Sequence, residues 1–191
     1  MNTPNSFTKR AWIVVIAATL AGMLLLAGCN KSTDHPDVKY AVDTAMTQAG
    51  LGVVKVSQDR DKGVLTLTGD VPSADQKAQA EQIAKQAAPD YAVANEIGVR
   101  PIGNGDQAKA VDNKLDDGIE YNYKAAIKAH KDLDDQSISC KAKNGTLTLS
   151  GSVKTPAQKS EAMKLARAVP NVKEVVNEIE VKPSKNSTAG L

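Results

Sequence analysis

Gly63-Val64-Leu65-Thr66-Leu67-Thr68-Gly69 recurs 82 residues later as Gly145-Thr146-Leu147-Thr148-Leu149-Ser150-Gly151. In both stretches leucines alternate with hydroxyl residues, the period of a strand with one buried side and one wet side. Moving outward, the match runs on without a gap through Val71 and Val153, then Gln76-Lys77 and Gln158-Lys159. It closes on Asn95-Glu96-Ile97-x-Val99-x-Pro101 against Asn177-Glu178-Ile179-x-Val181-x-Pro183. From Gly63 to Pro101 sixteen of 39 pairs are identical, far beyond chance. A period this long marks a duplicated domain and not a solenoid.

Each copy has the same order of elements. Val38, Ala41, Val42, Ala45, Met46 and Ala49 fall at helical spacing, and Gly50 supplies the C-terminal stop. Val54-Lys55-Val56 and the Val64–Thr68 run predict two strands joined by a turn at Asp59–Gly63. Ser73-x-x-Gln76 and Thr155-Pro156-x-Gln158 both predict capping boxes, with Pro156 at the first helical position. The inward stripes of the helices they open are Ala80, Ile83, Ala84 and Ala87, and Ala162, Leu165, Ala166 and Val169. A third strand follows over 93–99 and over 172–181. The expected fold class is α+β: two tandem αββαβ domains, each with two helices on one face of a three-stranded mixed sheet.

The pattern Gly-x-Leu-x-Leu-x-Gly-x-Val, a helix with Gln-Lys-x-x-Ala and a closing Val-x-Asn-x-Ile resembles the BON domain (bacterial OsmY and nodulation). The second copy, with Leu133-Asp-Asp-Gln-Ser-Ile138 and Asn144-Gly145 at its hairpin, is the closer match; the first has a hairpin about two residues longer. The resemblance implies an envelope location and binding to phospholipid membranes or envelope partners. It implies no catalytic residues and no cofactor.

The amino terminus carries an address. Lys9 and Arg10 precede an apolar run from Ala11 that ends at Leu26-Ala27-Gly28-Cys29. A basic start, an apolar stretch and small residues before a cut site describe an export signal, too short for a permanent span. The final four residues resemble the bacterial lipobox, in which the Cys29 sulfur is acylated and becomes the new amino terminus; the alternative is a signal peptide with a chance cysteine. Asn30, where an Asp signals inner-membrane retention in enteric bacteria, favours the periplasmic face of an outer membrane in an organism that has one. The expected organisation is therefore a signal over 1–28, a lipidated tether over 29–37, a first domain over 38–101, a linker over 102–106, a second domain over 107–183 and a disordered tail over 184–191.

Removing the signal removes the formal charge of +2, because it comes from Lys9 and Arg10; the mature chain carries 22 basic and 22 acidic residues. Neutrality and only four mature aromatics, all tyrosines, argue against a nucleic-acid partner. With Cys29 acylated, Cys140 has no partner for a disulfide.

Chemistry is sparse. Cys140 and His130 could form a nucleophile and base, but Ile138, Cys140 and Ala142 alternate as one face of a strand, which favours an inert buried thiol. Asp132-x-Asp134-Asp135 lacks the glycine and distal glutamate of a calcium loop, so no metal site is expected. Charge placement is more informative. Lys141 to Lys173 holds seven basic residues against Glu161 alone, net +6. On the helix that opens the second copy, Leu115, Ile119, Tyr123, Ala126 and Ile127 make a core stripe. Tyr121, Lys124, Lys128 and Lys131 fall on another face. A tyrosine among lysines suits a bilayer interface. The candidate headgroup-binding residues are these four together with Lys159, Lys164 and Arg167; the rival explanation is a solvated face. The expected function is non-enzymatic binding of anionic phospholipid by the second copy, in support of outer-membrane integrity or stress tolerance. The alternative is a scaffold that recruits envelope proteins, with membrane contact through the acyl chains alone.

Overall fold

The computed structural model describes residues 35–182. The first copy contains α1 (Lys39–Gln48), β1 (Lys55–Asp59), β2 (Val64–Thr68), β3 (Asp70–Val71), α2 (Ala74–Ala87), β4 (Ala92–Asn95) and β5 (Gly98–Val99). The second contains α3 (Gly105–Ala129), β6 (Ser137–Lys143), β7 (Thr146–Val153), α4 (Pro156–Ala168), β8 (Glu174–Asn177) and β9 (Glu180–Val181). The fold is α+β, with two αββαβ units as the duplication requires. Their sheets run β1-β2-β4 and β6-β7-β8, each with an antiparallel hairpin and a parallel third strand.

The helix-facing side of each sheet is a small core. Leu65, Leu67 and Val93 pack with Val42, Met46, Ala80 and Ala84 in the first copy. Leu147 and Leu149 pack with Ile119, Tyr123, Ala162 and Ala166 in the second. Gly50, at φ +74°, ends α1 in the left-handed region, as its place in the sequence predicts. The second hairpin turns on Asn144 and Gly145, at φ +50° and +86°, the two positive angles of a tight two-residue turn. The first needs the four residues 60–63.

Several expectations change. Thr155 forms a full capping box with Gln158. Ser73 accepts from the Gln76 N–H, but Gln76 Oε1 is buried without a partner, so the reciprocal half is missing. The third strand is interrupted in both copies. Asn95 Oδ1 accepts from the Ile97 N–H at 3.4 Å, and Asn177 Oδ1 from the Ile179 N–H at 3.1 Å, forming a local turn between two short strands. Leu115 leaves the core stripe at 41 % exposure. At 1.5 Å per residue α3 is ~37 Å long, whereas a seven-residue strand spans ~23 Å, so its first turns overrun the sheet. α3 also begins at Gly105, inside the expected linker.

The expected tether is engaged from His35 onward. Its N–H donates to the Arg60 carbonyl, Arg60 Nε donates to the His35 carbonyl, and the Tyr91 hydroxyl donates to the Pro36 carbonyl. The segment thus lies against the first hairpin. The signal, Cys29 and the 184–191 tail lie outside the described residues.

The largest departure concerns the sheet side expected to be wet. Val64 and Ala94, on the side away from the helices, are buried against Val176 of the other copy. Asn144 Nδ2 donates to the Glu96 carbonyl, and Lys62, which aligns with Asn144, pairs with Glu178, which aligns with Glu96. Ala94 and Val176 are themselves 82 positions apart. The two copies therefore meet through equivalent surfaces, a closed, approximately two-fold contact within one chain.

Candidate lipid-facing surface and the seam between copies

On α3, Tyr121 is 75 % exposed, and Lys124 and Lys128 follow it at spacings of three and seven, so all three share a face. Lys124 pairs with Glu120 at 3.0 Å, which raises its proton affinity, and Lys131 is exposed in the turn beyond the helix. The Glu120 carboxylate also accepts from the Ala142 N–H at 3.0 Å, tying α3 to the outer strand β6. Tyr123 points the opposite way, its hydroxyl donating to the Ala162 carbonyl; burial keeps that phenol far above its ordinary value.

The α4 candidates divide. Lys164 is exposed and reaches Glu161 at 3.4 Å. Glu161 also faces His130 at 3.5 Å, so the one acid of the basic run sits between the helices. Lys159 is half-buried, and its carbonyl accepts from Asn177 on β8. Lys159 and Arg167 hold the positions that, as Lys77 and Lys85, line a cleft at the seam in the first copy. The seven candidates thus occupy more than one surface. Three further members of the basic run lie within electrostatic reach of the seam. Lys141 and Lys143 act on the Glu96 carboxyl, which burial pushes up and they pull down, and Lys173 lines the cleft.

Cys140 is half-buried beside Tyr123, Ile127 and Ile138, and burial pushes its thiol up. His130 faces Glu161, and no hydrogen bond joins it to Cys140 among the described residues. Among the described residues there is no cluster of three His, Cys, Asp or Glu side chains placed to hold a metal, and no helix long and apolar enough to cross a membrane.

The seam holds polar residues that the sequence reading passed over. Arg100, 12 % exposed, pairs with Asp112 at 2.6 Å and donates to Asn144 Oδ1 at 3.2 Å. Buried Asp116 accepts from the Asn144 and Gly145 N–H groups at 2.8 and 3.0 Å and so clamps the second hairpin. Lys77 Nζ donates to the Asn144 carbonyl at 3.1 Å. Glu174 accepts from the Asn95 N–H at 3.0 Å, while burial pushes its carboxyl up. For Glu174, and for Lys173 beside it, the sequence carries a signal in their divergence between aligned copies, since they stand where the first copy has Tyr91 and Ala92; Lys77 carries none, being matched by Lys159.

The family comparison agrees with this architecture. The BON domain matches residues 37–101 and 115–183. The osmotically inducible protein Y of Escherichia coli strain K12 is 30 % identical, covering 94 % of this chain and 98 % of that one. An uncharacterised protein in the gshII 5′ region of Anaplasma centrale is 28 % identical over 69 % of this chain and 82 % of its own length. Among solved structures, the C-terminal domain of CdsD, a structural protein of the type III secretion system of Chlamydia trachomatis, aligns with 17 % identity and a TM-score of 0.27 over 78 % of this chain and 66 % of that one. With a family match in each half and a full-length relative, this chain belongs to the BON domain family, in a two-copy form.

Proposed function

We propose that this protein is a non-enzymatic, stress-related envelope lipoprotein whose second copy binds anionic phospholipid through the Tyr121, Lys124 and Lys128 face of α3. The observation that carries the reading is that face: an exposed tyrosine ring followed by two exposed lysines, on a helix whose opposite side is anchored in the core. The osmotically inducible relative supports the stress-related role, the lipobox-like Leu26–Cys29 supports a lipid anchor, and Asn30 after it favours the outer membrane. Each ammonium near an anionic leaflet contributes about 1 kcal/mol, weakened by salt. A phenol ring entering the headgroup layer adds apolar contact. In the first copy Tyr40 is also exposed, but α1 carries only Lys39, paired with Asp43 at 2.7 Å, whereas α3 adds Lys128 to the Lys124 that Glu120 holds. Lipid contact is therefore assigned to the second copy, with the first as its docked support.

The soluble mature chain carrying Cys29→Ser should co-sediment with phosphatidylglycerol vesicles at low salt and not with neutral ones. Reversing Lys124 and Lys128 to Glu should weaken binding about thirtyfold or more. Equal binding to both vesicle types, or indifference to the reversals, overturns the proposal. A second reading, a scaffold for envelope proteins, draws on Val111 and Leu115, exposed four residues apart on α3. Specific protein cross-links in intact cells that survive the charge reversals would favour it.

A further inference from the structure

The helix α2 of the first copy and the start of β8 in the second wall a cleft of about 460 Å³. That lies within the ~300–1,000 Å³ range of small-ligand sites. Its acids already have partners. Glu81 is bound by Lys85 and by Asn95 Nδ2. Glu174 accepts from the Asn95 N–H. Two of its cations are less well matched. Lys77 donates once, to the Asn144 carbonyl at 3.1 Å. The Lys173 stem lies over Gly145, and its ammonium makes no hydrogen bond or ion pair among the described residues. Both side chains also line an adjoining cavity of about 250 Å³, which places them at the junction of the two spaces.

Burial, and then the charge of Lys173, push the Lys77 ammonium down. Glu174, Asp112 and Glu81 offset part of that push, but each is already engaged, Glu81 by Lys85, Glu174 by the Asn95 N–H and Asp112 by Arg100. The two ammonium groups therefore keep donor capacity for an acceptor in the cleft. The duplication supplies an internal comparison. In the other half of the seam Lys159 aligns with Lys77, but Tyr91 stands where Lys173 would be, and Met163 where Glu81 would be. Of the two equivalent seam positions among the described residues, only this one pairs the cations.

We infer that this cleft binds one phosphate-class oxyanion, with the Lys77 and Lys173 ammonium groups as its two donors. Such a ligand is recognised by charge and by acceptor oxygens that meet both lysines. It comes either as free phosphate or as the phosphodiester of a lipid headgroup. Because the donors belong to different copies, the bound anion also ties the copies together. The site is separate from the α3 face, so either can fail alone.

Titration calorimetry of the Cys29→Ser mature chain with inorganic phosphate at low ionic strength should show one saturable site. Lys77→Gln and Lys173→Met should each weaken it at least tenfold, the methionine preserving the packing over Gly145. Lys159→Gln, at the aligned position on α4 and outside both the cleft and the α3 face, should leave it unchanged. If phosphatidylglycerol vesicles compete with phosphate even when Lys124 and Lys128 are reversed, the headgroup is the ligand; if they do not, free phosphate is. Absence of saturable binding in the folded parent, or equal loss from Lys159→Gln, overturns the inference. Circular dichroism confirms that each variant is folded; should Lys77→Gln unfold, Lys173→Met and Lys159→Gln still decide.

Discussion

Asn95 and Asn177 show what one residue type does when it is placed twice. Each uses its amide oxygen to turn the chain two residues on, and its amide nitrogen to reach the carbonyl of the lysine in the preceding helix, Lys77 or Lys159. The third strand is thereby fixed to the second helix. The two residues differ in burial: Asn95 is 1 % exposed and also donates to Glu81, whereas Asn177 is half-buried. A buried polar group stripped of its partners costs more than the bond itself. Asn95→Ala should therefore cost about 3 kcal/mol and Asn177→Ala about 1 kcal/mol, measured by urea denaturation. Equal losses would show that burial at the seam does not set the cost.

At the scale of elements, the two second helices begin with similar sequence and different chemistry. The Gln158 side chain accepts from both the Lys154 and Thr155 N–H groups and donates to the Asp132 carbonyl at 2.8 Å, which the second copy's longer approach to β6 makes available. Gln76 has no such set. Thr155→Ala should cost about 1–2 kcal/mol and Ser73→Ala about 0.5–1 kcal/mol, read from thermal melts. The existence of the helices was legible from their stripes, and so was the first turn's preference for Ser or Thr. The reciprocal bond expected at both helices forms at Gln158 and fails at Gln76, because it depends on whether a neighbouring carbonyl holds the glutamine in place. Leu115 went astray for a related reason: periodicity says which residues share a face, but not where the sheet beneath that face ends.

At the scale of the molecule, two small cores are joined by a seam with little apolar area and many polar contacts. Val64, Ala94 and Val176 form its apolar centre. Arg100 with Asp112, Asn144 with Glu96, and Lys62 with Glu178 surround it. Docked in this way, the copies should unfold in one transition. Val176→Asp places a charge in the apolar centre and leaves each helix-facing core intact. It should split urea unfolding into two transitions, each with a smaller denaturant slope than the parent. A single transition with the parental slope would mean that the cores, and not the seam, carry the cooperativity. The same contact divides the net +6 run: Lys173 lines the cleft at the seam, and Lys141 and Lys143 lie within electrostatic reach of Glu96.

By itself the sequence determined the duplication, the αββαβ order, the leucine-faced strands, the tight second hairpin and the tyrosine and lysine face of α3. All of these follow from local spacing and backbone preference, which act within a few residues. Only the tertiary structure decided that the far sides of the sheets meet, that His35 to Asp37 belong with the first domain, and that Lys77 and Lys173 come together. Those contacts join residues from about 25 to nearly 120 positions apart. Their partners are chosen by three-dimensional complementarity, and no periodicity within either copy encodes it.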